Sequence, residues 1–331
     1  MLVLVQPLED DARGGTAMTA AKDQRYARLA EIQRMDVETE YSRIWWLGIG
    51  YEYPWDFSVA GALAFANSVA PPHMAALLVR TGEITENTRR RMEHFGLIAM
   101  QMVRHGFKHP AGKAAVRQMN RIHKNAVKHI SNDREQWSIS NEEYLFVLAT
   151  SMLIPVRWVD RYAWRPTTPK ERVAAYLHAK EQGELMGLRD IPGSYEEMAR
   201  FHDAYVQANF RYSAEAAKLW EALEPTVVEP MVGGLPERLR PLGRRAAKAA
   251  MPVVLTPHMR EAFGVAGPSW LRRFLVDSAI GLRSAYVRRQ PPRTEAAYPD
   301  PLPSPSYPDA DYRIEDLGPA HTTGASAQAA D

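Results

Sequence analysis

Three tetrapeptides of the form Ser/Thr-x-x-Glu, beginning at Ser140, Thr168 and Ser194, constrain this chain most, because each reads as a capping box that starts an α-helix. In the second, Pro169 takes the first helical position, where a missing N–H costs nothing. Apolar residues recur at three, four and seven along most of the chain, while the two-residue alternation of strands is scarce. The run from Tyr144 to Ile154 has almost no polar face, which predicts a helix buried on all sides that kinks or ends near Pro155. Further helices are expected near 23–44, 57–70, 86–105, 111–130, 169–186, 195–222 and 268–288. The fold class is all-α, with no internal repeat. One domain is expected over 25–288, between a disordered leader at 1–24 and an unpacked tail at 289–331, where seven prolines from Pro291 to Pro308 precede an Ala/Gly/Thr-rich end.

One imidazole stands where a helix should be apolar. Gly112, Val116, Met119, Ala126, Val127 and Ile130 all fall within about 60° of His123 on a helical wheel, so His123 lies near the centre of a buried stripe. A buried neutral histidine needs a partner for each ring nitrogen. Iron on one and a backbone or carboxylate acceptor on the other would supply them, and so would hydrogen bonds to a neighbouring helix.

Composition narrows the chemistry further. The absence of cysteine removes disulfides, thiolate nucleophiles, iron–sulfur clusters and Cys-type zinc sites together. A formal charge of +2 without an aromatic-basic ribbon gives no reason to expect nucleic acid. No phosphate-cradling glycine loop, His-Glu-x-x-His pair or Gly-x-Ser-x-Gly elbow occurs. The pair His105/His109 straddles a glycine before Pro110 and reads as a turn, and His129 falls off the buried stripe. The apolar stretch Phe57 to Val79 is interrupted by Asn67, Ser68, Pro71, Pro72 and His73, which predicts a buried helix and a break, not a membrane span. The acidic run Glu9-Asp10-Asp11 follows the apolar start directly and no basic segment precedes it, so the expected location is cytoplasmic, with peripheral membrane contact left open.

A second helical stripe combines Arg91, His94, Phe95, Ile98, Met102 and His105. An arginine and a histidine on the side of Phe95, Ile98 and Met102 can line a partly apolar pocket; equally, Arg89-Arg90-Arg91 can be a solvated basic turn with His94 at its boundary.

The order of several short motifs resembles the MpaB and rubber-oxygenase (latex-clearing-protein) family over about residues 25–225. They are Tyr53-Pro54-Trp55, Pro71-Pro72-His73, Leu77-Leu78-Val79-Arg80-Thr81-Gly82, Met119-Asn120-Arg121-Ile122-His123, Ser140-Asn141-Glu142-Glu143-Tyr144-Leu145, Pro155-Val156-Arg157-Trp158, Tyr162-Ala163-Trp164-Arg165 and Gly183-Glu184-Leu185-Met186-Gly187. The resemblance implies a globin-like helical core with haem b, and oxidation of a hydrophobic isoprenoid, terpenoid or lipid-like substrate by O2. The family's proximal histidine matches His123, with Met119, Val127, Phe95 and Arg91 beside the cofactor. The rubber-cleaving branch carries Arg-x-x-Lys-Thr about 30 residues earlier. Here Arg91 is kept while His94 and Phe95 replace Lys and Thr, so the resemblance leaves Arg91 and His94 as the candidate distal groups. A haem sensor without turnover and a helical protein that binds a hydrophobic ligand or a partner are the alternatives.

Overall fold

The computed structural model describes residues 24–132 and 135–319; the expected leader falls almost wholly outside them, as do the last residues of the expected tail. Among the described residues there are fourteen α-helices and no strand. The first seven are α1 (Ala27–Arg34), α2 (Val37–Leu47), α3 (Pro54–Ser68), α4 (Pro72–Thr81), α5 (Glu83–Glu86), α6 (Thr88–His105) and α7 (Pro110–Ile130). Then follow α8 (Asn141–Tyr162), α9 (Pro169–Leu185), α10 (Tyr195–Asn209), α11 (Ala214–Val232), α12 (Arg240–Val254), α13 (Pro257–Phe263) and α14 (Trp270–Arg289). A π-turn, Gly48–Glu52, joins α2 to α3.

The apolar run predicted to be buried becomes α8, which packs against α3 at the centre of the molecule. It does not end at Pro155. Packing on α3, α9 and α10 carries the helix through the missing hydrogen bond to Tyr162. The boxes at Ser140 and Thr168 are complete, each serine or threonine accepting from the N3 amide while the glutamate accepts from the cap amide. At Ser194 only the first half forms, because Glu197 accepts from Gly193 instead. Two expected helices are divided: Asp36 caps α2 after a break at Met35, and Ser213 caps α11 after Phe210 turns inward.

A buried ionic cluster fastens the N-terminal helices to this centre. Arg165 donates to both oxygens of Glu171, each at 2.9 Å, and to Glu52 at 3.2 and 3.3 Å. Arg25 lies 3.7 Å from the other oxygen of Glu52, its guanidinium 3.6 Å from the centroid of the Trp164 ring. The Trp164 indole, fully buried, donates to the Glu52 carbonyl. The Trp164-Arg165 motif is therefore structural.

The tail expectation needs correction. Residues 298–319 lie along α6 and α7 and pack with them, while Arg293 and Ala297 before them are hydrogen-bonded to Arg28 and Gly50. Arg104 donates to the Tyr298 carbonyl at 2.6 Å, Gln118 donates to the Leu317 carbonyl, and Leu317 is fully buried with Tyr307, Tyr312 and Ile314 around it. Proline prevents regular structure here but not burial: the apolar residues between the prolines fill the groove beside α6 and α7. Burying Leu317 alone stabilises by about 1.5–3 kcal/mol. Deleting everything from residue 290 is expected to lower the melting temperature by at least several degrees. An unchanged thermal melt would show that the segment merely rests on the helices.

Candidate active site

The stripe on α7 and the stripe on α6 face the same cavity. Its volume is about 280 Å³, just below the roughly 300–1,000 Å³ of small-molecule and cofactor sites. The α6–α7 pair is brought close by its turn: Gly106 has a positive φ of 62°, and a Cβ at Gly112 would overlap the Gly106 carbonyl oxygen. On the far side Gly183 lets α9 approach α8, since a Cβ there would meet Leu148 at 2.7 Å. The glycine-bearing family motif thus shapes the cavity wall and contributes no chemistry of its own.

His123 lines the cavity, as its helical phase requires. Its Nδ1 is buried and has no hydrogen-bond partner. Burial, reinforced by the charge of Arg91, pushes the imidazole pKa down to about 4, so the ring is neutral at physiological pH. Tyr144 stands beside it, ring centroids 5.5 Å apart. Arg91 also faces the cavity; it has no ion pair among the described residues, and its guanidinium lies 5.7 Å from the Phe65 ring. Burial lowers its pKa too, and the charge of Glu83 on the cavity rim partly offsets this. Phe95, packed against Phe65 at 4.9 Å, joins Ile98, Met102 and Met119 in an apolar wall.

Two expected site residues lie elsewhere. His94 does not reach the cavity: its Nδ1 accepts from the Gly318 amide at 2.8 Å, and its Nε2 sits 3.2 Å from the Tyr307 hydroxyl. A buried imidazole finds its partners in the docked C-terminal segment, and no pattern within α6 announces that contact. Val127 is not part of the cavity lining, whose α7 wall stops at the preceding residue, Ala126.

His178 was missed. Only 4% exposed, it lines the cavity from α9 with its Nε2 buried and without a partner, while Nδ1 lies 3.3 Å from the Ser42 hydroxyl. Burial pushes its pKa down to about 3, so it too is neutral. The signal was present in the alanines at 174, 175 and 179, which mark a tightly packed face around it. Ser68, Thr81 and Ser151 also line the cavity, but each hydroxyl is committed to a carbonyl one turn back. Among the lining residues the buried nitrogens without a partner are His123 Nδ1 and His178 Nε2, and the Arg91 guanidinium stands without an ion pair.

The family described as ER-bound oxygenase mpaB/B'/Rubber oxygenase, catalytic domain, matches residues 54–285. The chain belongs to this family. Among curated proteins it is similar to the ER-bound oxygenase mpaB of Penicillium roqueforti (strain FM164), 21% identical over 164 residues, which are 49% of this chain and 50% of that protein. The chain thus spans about half the length of the curated relative it matches. Within the mpaB/rubber-oxygenase match fall α3 to α9, which carry Arg91, His123 and His178, whereas the segment that occupies His94 lies beyond it.

Proposed function

We propose that this chain is a haem b-dependent oxygenase acting on a hydrophobic, isoprenoid- or lipid-like substrate with O2. The observation that carries the reading is the buried, unpartnered nitrogen of His123 in a mostly apolar cavity of an oxygenase-family domain. An orphaned imidazole costs free energy unless something fills its valence. Haem b fits the residues present: His123 offers a neutral ligand nitrogen, Arg91 offers a charge for a propionate, and Phe95, Ile98, Met102 and Met119 offer flat apolar walls. When bound, haem supplies the binding and activation of dioxygen. The chain's own part is to orient and to exclude water. Apolar side chains from α3, α6 and α8 hold a hydrophobic guest, and His178 Nε2 is free to give or accept one hydrogen bond. Arg91, desolvated, stabilises negative charge that develops near it.

Protein produced with ample haem supply should show a Soret band, and a pyridine haemochrome should identify haem b. The band should persist as pH falls from neutral and be lost as it passes about 4, because the free imidazole stays neutral down to that point and a proton then competes for its nitrogen. The same depression means that an unfolded chain takes up this proton near pH 6.5, so apoprotein stability declines from pH 6.5 towards 4. Purified protein without any Soret band under ample haem would overturn the haem assignment.

A further inference from the structure

The outward face of α14 is apolar on a scale the core does not explain. Trp270, Leu271, Phe274, Leu275, Leu282 and Tyr286 are all exposed, Trp270 by 79%, Leu282 by 73% and Phe274 by 62%. At 100° per residue these six occupy one arc of about 160°. The opposite face is fixed to the body of the protein: Ile280 and Ser284 are buried and Arg283 pairs with Asp56, while the C-terminal end is held by Arg288, which donates to the Trp164 carbonyl. The helix is therefore held with its apolar side turned out. Scattered exposed leucines are ordinary, but six large side chains on one face mark an interaction surface.

The charge around this face names its partner. From Leu235 to Arg289 there are eleven Lys and Arg against three Asp and Glu, a net +8 in a chain whose total is +2. α12, which packs on α14, adds exposed Leu242; of its cations Arg244 and Lys248 pair with Glu229 and Glu224 on α11, while Arg245 has no ion pair among the described residues. Arg272 and Arg273 are exposed between Leu271 and Phe274. Two copies meeting through this face would bring like charge against like, which disfavours a self-paired dimer. Among the described residues no single helix is long and apolar enough to cross a membrane. We propose that α14 lies in the plane of an anionic lipid surface, with Trp270, Phe274 and Leu282 inserted at the acyl boundary and the flanking arginines on the headgroups. This does not depend on the haem assignment.

The test is flotation of the full chain with phosphatidylcholine vesicles, with and without one third phosphatidylserine. The protein should float with the anionic vesicles and be released by high salt. Trp270→Ser with Phe274→Ser should reduce binding at least tenfold, and Arg272→Gln with Arg273→Gln by roughly fivefold per charge. Because these side chains are exposed, the melting temperature should not change, which separates lost binding from lost folding. No flotation with either vesicle would overturn the proposal. So would binding that ignores lipid charge, or a solution dimer that the Trp270/Phe274 pair of substitutions dissolves.

Discussion

On the proposed haem b assignment, His123→Ala is expected to fold and to purify with less than about one tenth of the wild-type iron porphyrin. The wild-type ring would supply the only protein bond to the metal on its side, leaving apolar contacts and Arg91 to hold the cofactor alone. The helix should survive, because Ala has the higher helix propensity and the lost packing costs about 1–3 kcal/mol. Excess imidazole should restore part of the Soret absorbance by re-entering the vacated space. His94→Ala is the control, and the structure inverts its ordinary meaning. Its two nitrogens hold Gly318 and Tyr307, so this variant should melt earlier while keeping its haem and its spectrum. Equal haem content in wild type and His123→Ala would remove His123 as the ligand.

Replacing Arg165 by Met should be the most destabilising single change. Glu52 and Glu171 would remain in place with side chains about 1% and 6% exposed and without their main counter-charge. Breaking a buried pair from one side costs about 3–5 kcal/mol, a large part of the 5–15 kcal/mol that holds a typical domain together. The melting temperature should fall by about 10 °C. The sign of the pH dependence distinguishes this cause from simple loss of packing. Burial already raises the Glu52 pKa, with Arg165 and Arg25 pulling it back. Without Arg165 the folded state holds protons that the unfolded chain releases, so stability of the variant rises as pH falls. Its deficit should therefore be smaller at pH 5 than at pH 8. A deficit that does not vary with pH would assign the loss to packing.

Helix starts with a side-chain signature were legible, and so was the inward direction of His123, because a cap and a helical phase are local properties of the chain. Helices α4, α12 and α13 went unread for a local reason as well. Pro72, Pro241 and Pro257 look like breakers but stand in the first turn, where proline suits the helix. The site was only partly legible. Arg91 and Phe95 share a phase on α6 and do reach the cavity, while His94, on the same stripe, is claimed by a segment more than 200 residues later. His178 escaped for the converse reason: the alanines around it mark a packed face, but nothing in its own helix says that this face meets the cavity. Long-range contact decided both, and no pattern within one helix contains it.

The placement of residues 290–319 also bears on the order in which the molecule is built. His94 and Gly318 are partners across 224 positions, and Pro319 reaches the wall of the cavity. During synthesis α6 and α7 emerge long before the strip that covers them, and loop closure over that separation is among the last contacts to form. A nascent chain thus presents Leu97, Ile98 and Met102 uncovered until nearly all of the described sequence has left the ribosome. The covered cavity consequently forms only after residue 319 has been made.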